Sequence, residues 1–233
     1  MRQLDVESWA RREHFAVFGG LDWPHFNLCA DVHVTSFRAF VEREEISFNL
    51  AIIFAIAKAA NAIPELRYRI RDGKVVEHDV VHPSSTIMGE NDVFGFCTLE
   101  FVDDFAVFAA RARERIARAR ARPRLVGEDQ GRDDLLFMTA IPWVSFTSFM
   151  HPLHLHPVDS IPRFAWGKYF ADGGGLKMPL SVQGHHALMD GLHAARFYAE
   201  VQGYFEDPGP VLGEHVEQRA GSRPRRAETL SHR

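Results

Sequence analysis

Ser181-Val182-Gln183-Gly184-His185-His186-Ala187-Leu188-Met189-Asp190-Gly191-Leu192-His193-Ala194-Ala195-Arg196-Phe197 decides how this chain is read. Its first residues continue the apolar run from Leu176 and read as a strand. Two imidazoles then appear, Asp190-Gly191 makes a turn, and from Leu192 apolar residues recur at helical spacing to about Phe205. A histidine placed at a strand end before a turn can project into a cleft. With its ordinary pKa near 6.5 it can accept and return a proton at neutral pH. An aspartate four residues further on can hold an arginine and stiffen the loop. Taken by itself, HHxxxDG serves equally well as a purely structural turn.

Outward from this stretch the chain alternates strands and helices. Leu28, Ala30, Val32 and Val34 place one apolar face on a strand from Asn27 to Thr35. Thr35 or Ser36 then caps a short helix to about Glu44. Phe48 to Ala62 is apolar nearly all round, which predicts a core helix closed by Pro64. Asp72-Gly73 between Leu66–Ile70 and Lys74–Val76 predicts a hairpin. A strand is expected from Val93 to Phe101. A helix follows from Phe105 to Ala121, with Phe105, Phe108, Ala112 and Ile116 on one face and an arginine-rich opposite face read as solvated. Further strands are expected at Leu135–Ile141, Trp143–Phe149, Arg163–Phe170 and Leu176–Gln183. The fold class is therefore α/β: a two-layer sandwich of helices on a mixed, largely antiparallel sheet.

The length of 233 residues and an apolar share of 46% suit one domain with a substantial core and exclude global disorder. No apolar run is long enough to span a bilayer, and Met1-Arg2-Gln3-Leu4-Asp5 carries no apolar leader, so a cytoplasmic location is expected. Cys29 and Cys97 cannot build a disulfide framework and read as reduced core thiols. A net charge of −4 points away from a nucleic-acid surface. One domain is expected over residues 1–206. A proline-, glycine- and charge-rich tail is expected from 207 to 233, with Arg219, Arg223, Arg225 and Arg226 as a solvated basic cluster.

Four segments carry a resemblance in order: WARREHF at Trp9–Phe15, PWVSFTSF at Pro142–Phe149, FAWGKY at Phe164–Tyr169, and SVQGHHALMDGLHAARF. IPELRYRIRDGKVVEHDVVHP, from Ile63 to Pro83, joins them. Together they are similar to the chloramphenicol acetyltransferase family over roughly residues 4 to 205. The resemblance implies an acetyl-CoA-dependent O-acetyltransferase with no metal, a role in antibiotic resistance, and chloramphenicol as leading acceptor. It implies His186 as general base in direct transfer without an acyl-enzyme, and Thr139 as oxyanion donor at a position where the family has serine. Asp190 and Arg11 would be the ion pair that holds the loop. Phe18, Phe26 and Phe137 would form the apolar acceptor pocket, and Lys168 and Tyr169 would line the CoA channel. A homotrimer with sites at subunit interfaces follows from the same resemblance.

The chain also departs from the family pattern. Ala165 stands where threonine is frequent, and Ser47 where lysine is frequent, which leaves open a related acetyltransferase with another acceptor or a non-catalytic binding relative. Two metal readings compete. His151, His154 and His156 could supply a zinc triad, but Pro152 and Pro157 make that stretch a loop. His186, Asp190 and His193 could form a helical triad, but Gly191 interrupts a helix there. His185 and His193 read as structural.

Overall fold

A computed structural model describes residues 1–213 apart from 91, 127, 128 and 130. A short strand β1 (Arg2–Gln3) leads into helix α1 (Arg12–Gly19). Strand β2 (His25–His33) and helices α2 (Thr35–Arg43) and α3 (Phe48–Ala62) follow. A 3-10 turn at Pro64–Arg67 opens the hairpin of β3 (Tyr68–Arg71) and β4 (Lys74–Glu77). Next come β5 (His82–Met88), β6 (Phe94–Thr98) and α4 (Phe105–Ala121). Strands β7 (Leu135–Ile141), β8 (Arg163–Gly167), β9 (Phe170–Asp172) and β10 (Gly175–His185) precede the last long helix, α5 (Gly191–Glu206).

The main sheet runs β2-β10-β8-β7-β5-β6, with β9 added to β10. Strand β7 is parallel to both its neighbours, and the remaining pairs are antiparallel. This is the mixed, largely antiparallel sheet under helices that the pattern predicts. Helix α3 is buried on nearly every side, as its sequence demands. The Ser47 hydroxyl caps it by accepting from Leu50 N at 3.4 Å, and Pro64 follows its end. Phe37, Phe54, Phe108, Phe164, Phe197 and Phe205 are fully buried where the helices meet the sheet. Helix α4 buries Phe105, Phe108 and Ala112 and turns its arginines outward.

A second sheet, β1-β4-β3, meets the first through Arg69, the Arg71 and His78 contacts to Asp133, and the Ile70 N–H donated to Ser160 Oγ. Arg69 is fully buried and donates to the carbonyls of Leu66, Tyr68, Asp133 and Leu135 at 2.5–3.0 Å.

Three expectations differ from the structure. Trp143–Phe149 is not a strand: β7 ends at Ile141 and turns at Pro142, which cannot continue a ladder. Instead the segment crosses over β8, with Val144 O accepting from Lys168 N at 2.9 Å. Gly167 permits that crossing, since a Cβ there would meet Val144 O at 2.9 Å. Leu28 and Ala30 are exposed, because β2 is an edge strand that is buried at His25 and Val32 and open between them. Finally, the packed chain does not stop at 206. A π-helical turn at Gly209–Gly213 sets Leu212 in the core at 1% exposure. The remainder of the expected tail, 214–233, lies outside the described residues. Both cysteines are free thiols; Cys97 is buried and Cys29 half-buried.

Candidate active site

Two separate clusters gather the chemistry. The first forms where β10 ends. Gly184 lets the chain fold back tightly, since a Cβ there would lie 2.5 Å from the Met189 sulfur. His186 N donates to Pro24 O at 2.7 Å, which ties the loop to the start of β2. The imidazole of His186 lies flat on Phe18, with ring centroids 3.9 Å apart and 2° between planes, and Phe26 flanks it at 5.3 Å. The ring is half-buried, and its Nδ1 is buried without a hydrogen-bond partner. Stacking on one aromatic and flanking by another fixes the plane of the ring while its free edge stays open.

Arg11 supports this loop from α1's N-terminal side. Its guanidinium bonds the Asp190 carboxylate at 2.5 Å and His186 O at 3.4 Å. Burial works to raise the Asp190 carboxyl, but the Arg11 hydrogen bond, the neighbouring His193 and the Leu192 N–H outweigh it and hold it at about 2. Asp190 also caps α5 by accepting from Leu192 N at 3.0 Å, and His193 completes a reciprocal cap through its Nδ1. Trp9 and Phe15 pack with Tyr68, Val75 and Leu188, so the WARREHF segment anchors α1, the small sheet and the histidine loop together.

His185 faces the opposite way. It is 2% exposed and meets His25 edge-on at 4.9 Å, while His25 Nε2 bonds Asp159 O at 2.7 Å. Burial pushes both imidazoles down, reinforced for His185 by its histidine neighbours; His185 falls to about 4. The unfolded chain therefore binds more protons than the folded one between about 4 and 6.5. Stability is expected to be complete above pH 6.5 and to fall as pH drops through this window. His185 alone should cost about 2 kcal/mol at pH 5. Thermal melts at pH 8 and pH 5, repeated on His185→Gln, check this: the variant should lose part of the acid sensitivity.

The second cluster lines a cleft of about 1200 Å³ over β5, β7 and β8. Phe137, Thr139, Lys168 and Tyr169 all border it. Its apolar wall includes Phe96, Trp143 and Phe149. Tyr169 packs edge-on against Phe48, and Arg38 covers both rings. Lys168 is exposed at the cleft, available to an anionic ligand. Ala165 is fully buried, level with Thr139 and Ser181 across the sheet.

Sequence reasoning brought these residues together only in part. His186, Asp190, Arg11, Phe18 and Phe26 make one group; Phe137, Thr139, Lys168 and Tyr169 make the other. Among the described residues, His186, Phe18 and Phe26 do not border the cleft. Thr139 is level with Ser181, whereas His186 lies five residues beyond it on the same chain path. That is roughly 15 Å along the strand direction, far outside hydrogen-bond reach.

The sequence reading missed His151 and Arg163 at the cleft, and Gln183, which bonds the His151 backbone behind it. His151 stood only among zinc candidates, and no group of three metal-ligating side chains occurs among the described residues. Gln183, a large polar residue in the half of β10 that follows Leu180, was the available signal.

Comparison with known proteins gives this arrangement a context. A family model described as chloramphenicol acetyltransferase matches residues 1–202. Chloramphenicol acetyltransferases from Klebsiella sp and Escherichia coli are each 33% identical over 213 residues, covering 88% of this chain and 93% of theirs. A solved chloramphenicol acetyltransferase superposes with a TM-score of 0.79 at 30% identity, covering 88% of this chain and all of its own. A dihydrolipoamide acetyltransferase structure from Azotobacter vinelandii shares the fold, with a TM-score of 0.64 at 19% identity over 86% of this chain and 88% of its own. The protein is an acyltransferase. Within that class, the chain belongs to the chloramphenicol acetyltransferase family.

Proposed function

We propose that the protein moves the acetyl group of acetyl-CoA to a hydroxyl of chloramphenicol in a ternary complex, with His186 as general base. Each site would be shared between two subunits of a homotrimer, His186 coming from one and the cleft from the next. The observation that carries this reading is the division of the site. The base and the hydroxyl donor Thr139 stand roughly 15 Å apart along one chain, and a second copy supplies each with its partner. Exposed apolar side chains near the base, Val17, Leu21, Trp23 and Leu28, suit burial between copies. Among the described residues no helix is long and apolar enough to cross a membrane.

The chemistry follows from the residues. An alcohol is a weak nucleophile at neutral pH. His186, held by Phe18 and by the Arg11–Asp190 pair, takes the proton from the acceptor hydroxyl as its oxygen attacks the thioester carbonyl. The carbonyl electrons move to its oxygen, and the Thr139 O–H donates to that oxyanion. Collapse expels the CoA thiolate, which takes the proton from the imidazolium. Phe137 and its aromatic neighbours hold an apolar acceptor and keep out water, while Lys168 meets a phosphate of CoA as a point charge beside Tyr169.

The test is to mix protein, acetyl-CoA and chloramphenicol and follow free thiol. One thiol per acetylated drug is expected, with initial-rate lines that intersect when both substrates vary. No release at high enzyme concentration, with the drug or with a panel of other alcohols, would defeat the reading. Release with other alcohols alone would keep the acyltransferase and change its acceptor.

A further inference from the structure

Among the described residues, His151 is the one histidine bordering the cleft whose main chain and ring are both held by partners that the reaction scheme leaves unexplained. The side-chain amide of Gln183, buried on β10, clamps its backbone: Gln183 Oε1 accepts from His151 N at 2.8 Å and Gln183 Nε2 donates to His151 O at 3.4 Å. The imidazole stands edge-on to Phe149 at 4.8 Å. Its Nε2 lies 3.2 Å from Thr139 Oγ1, and its Nδ1 is buried with no partner.

A neutral imidazole carries one N–H, so this geometry has two forms. In the first, Nε2–H donates to Thr139 Oγ1, and the Thr139 proton is free to point into the cleft. In the second, Nδ1 carries the proton and Nε2 accepts from Thr139, whose hydroxyl is then used up. The second form strands a buried N–H donor, which is rarer and costlier than a stranded lone pair. Burial, with Arg163 adding to it, pushes the ring down to about 4, so it is neutral at working pH.

We infer that His151 is a positioning residue for acetyl transfer: its Nε2–H donates to Thr139 Oγ1 and so aims the Thr139 proton at the developing oxyanion. This rests on the proposed role of Thr139 as oxyanion donor. It gives a reason for the loop after β7 to return over the sheet and for a glutamine to be buried on β10.

The experiment is a double-mutant cycle with tautomer detection. Thr139→Val should lower kcat about a hundredfold, the scale for losing one oxyanion donor. His151→Phe, similar in shape but with no N–H, should lower kcat about tenfold, with KM for both substrates within about twofold. The double variant should be no slower than Thr139→Val alone, because His151 acts only through that hydroxyl. His151→Asn, which can still donate, should recover part of the loss. Nitrogen NMR of histidine-labelled native enzyme should find the His151 proton on Nε2, and this readout stands even if a variant fails to fold. A proton on Nδ1, additive losses in the cycle, or a His151→Phe effect confined to the acceptor KM would each overturn the inference while leaving the function intact. A Thr139→Val variant with native kcat would instead remove the oxyanion role itself.

Discussion

His186→Ala is expected to lower kcat by about 10³- to 10⁴-fold while leaving CoA affinity within about twofold of native. The size follows from what the ring does. Without it, the groups that touch it or adjoin it offer no replacement base: Phe18 and Phe26 are apolar, Asp190 is held by Arg11 at a pKa of about 2, and His185 is turned into the core. The split between kcat and affinity follows from position. Lys168 and Tyr169 border the cleft, which His186 does not touch within its own chain. Folding should survive, since the ring is half-buried and the backbone bond to Pro24 is kept. Steady-state kinetics with a parallel CoA titration check both halves. A loss of CoA binding equal to the loss of rate would mean that the ring was holding the structure together.

Arg69→Met should produce the largest stability loss of any single substitution considered. Arg69 is fully buried, and burial pushes its guanidinium down only to about 10, so it is charged in the folded protein. Its donors satisfy carbonyls on three pieces of chain: the turn before β3, β3 itself, and the entry to β7. Methionine fills similar volume and removes every donor. Four carbonyls would then lose their donor, three of them in buried surroundings, and the small sheet would be left with its Arg71, His78 and Ile70 contacts to Asp133 and Ser160. A cost of about 4 kcal/mol is expected, with each stranded acceptor contributing roughly 1 kcal/mol. Urea unfolding of both proteins measures it. A change under about 1 kcal/mol would show that water or the neighbouring chain satisfies these carbonyls.

Much of the fold was legible because local signals and tertiary context agreed. Helix α3 had an all-round apolar sequence and a closing proline, and it occupies the predicted residues. Helix α4 was equally plain from its apolar stripe. The failures lie where context overrides pattern. Trp143–Phe149 alternates like a strand but has no neighbour to pair with after Pro142. Leu28 and Ala30 alternate like a buried face, yet they sit on the open edge of the sheet. For the site, the motif pointed to His186, and Asp190 pairs with Arg11 across 179 positions of sequence, a contact that only the resemblance suggested. The division into two clusters could not be read from spacing, because register across β7, β8 and β10 decides which residues stand level. His151 was hidden for the same reason: its link to Thr139 is made by a loop returning over the sheet, with no periodic signal to mark it.

Subunit mixing is the most direct test of the shared site. His186→Ala chains carry an intact cleft, and Thr139→Val chains carry an intact base. Refolded together at equal amounts, a trimer with interfacial sites would rebuild native pairs wherever a Thr139→Val chain presents His186 to the cleft of a His186→Ala chain. Random mixing predicts recovery to about a quarter of native activity, far above either parent. Activity no greater than the average of the two parents, in trimers confirmed to be mixed, would contradict the account.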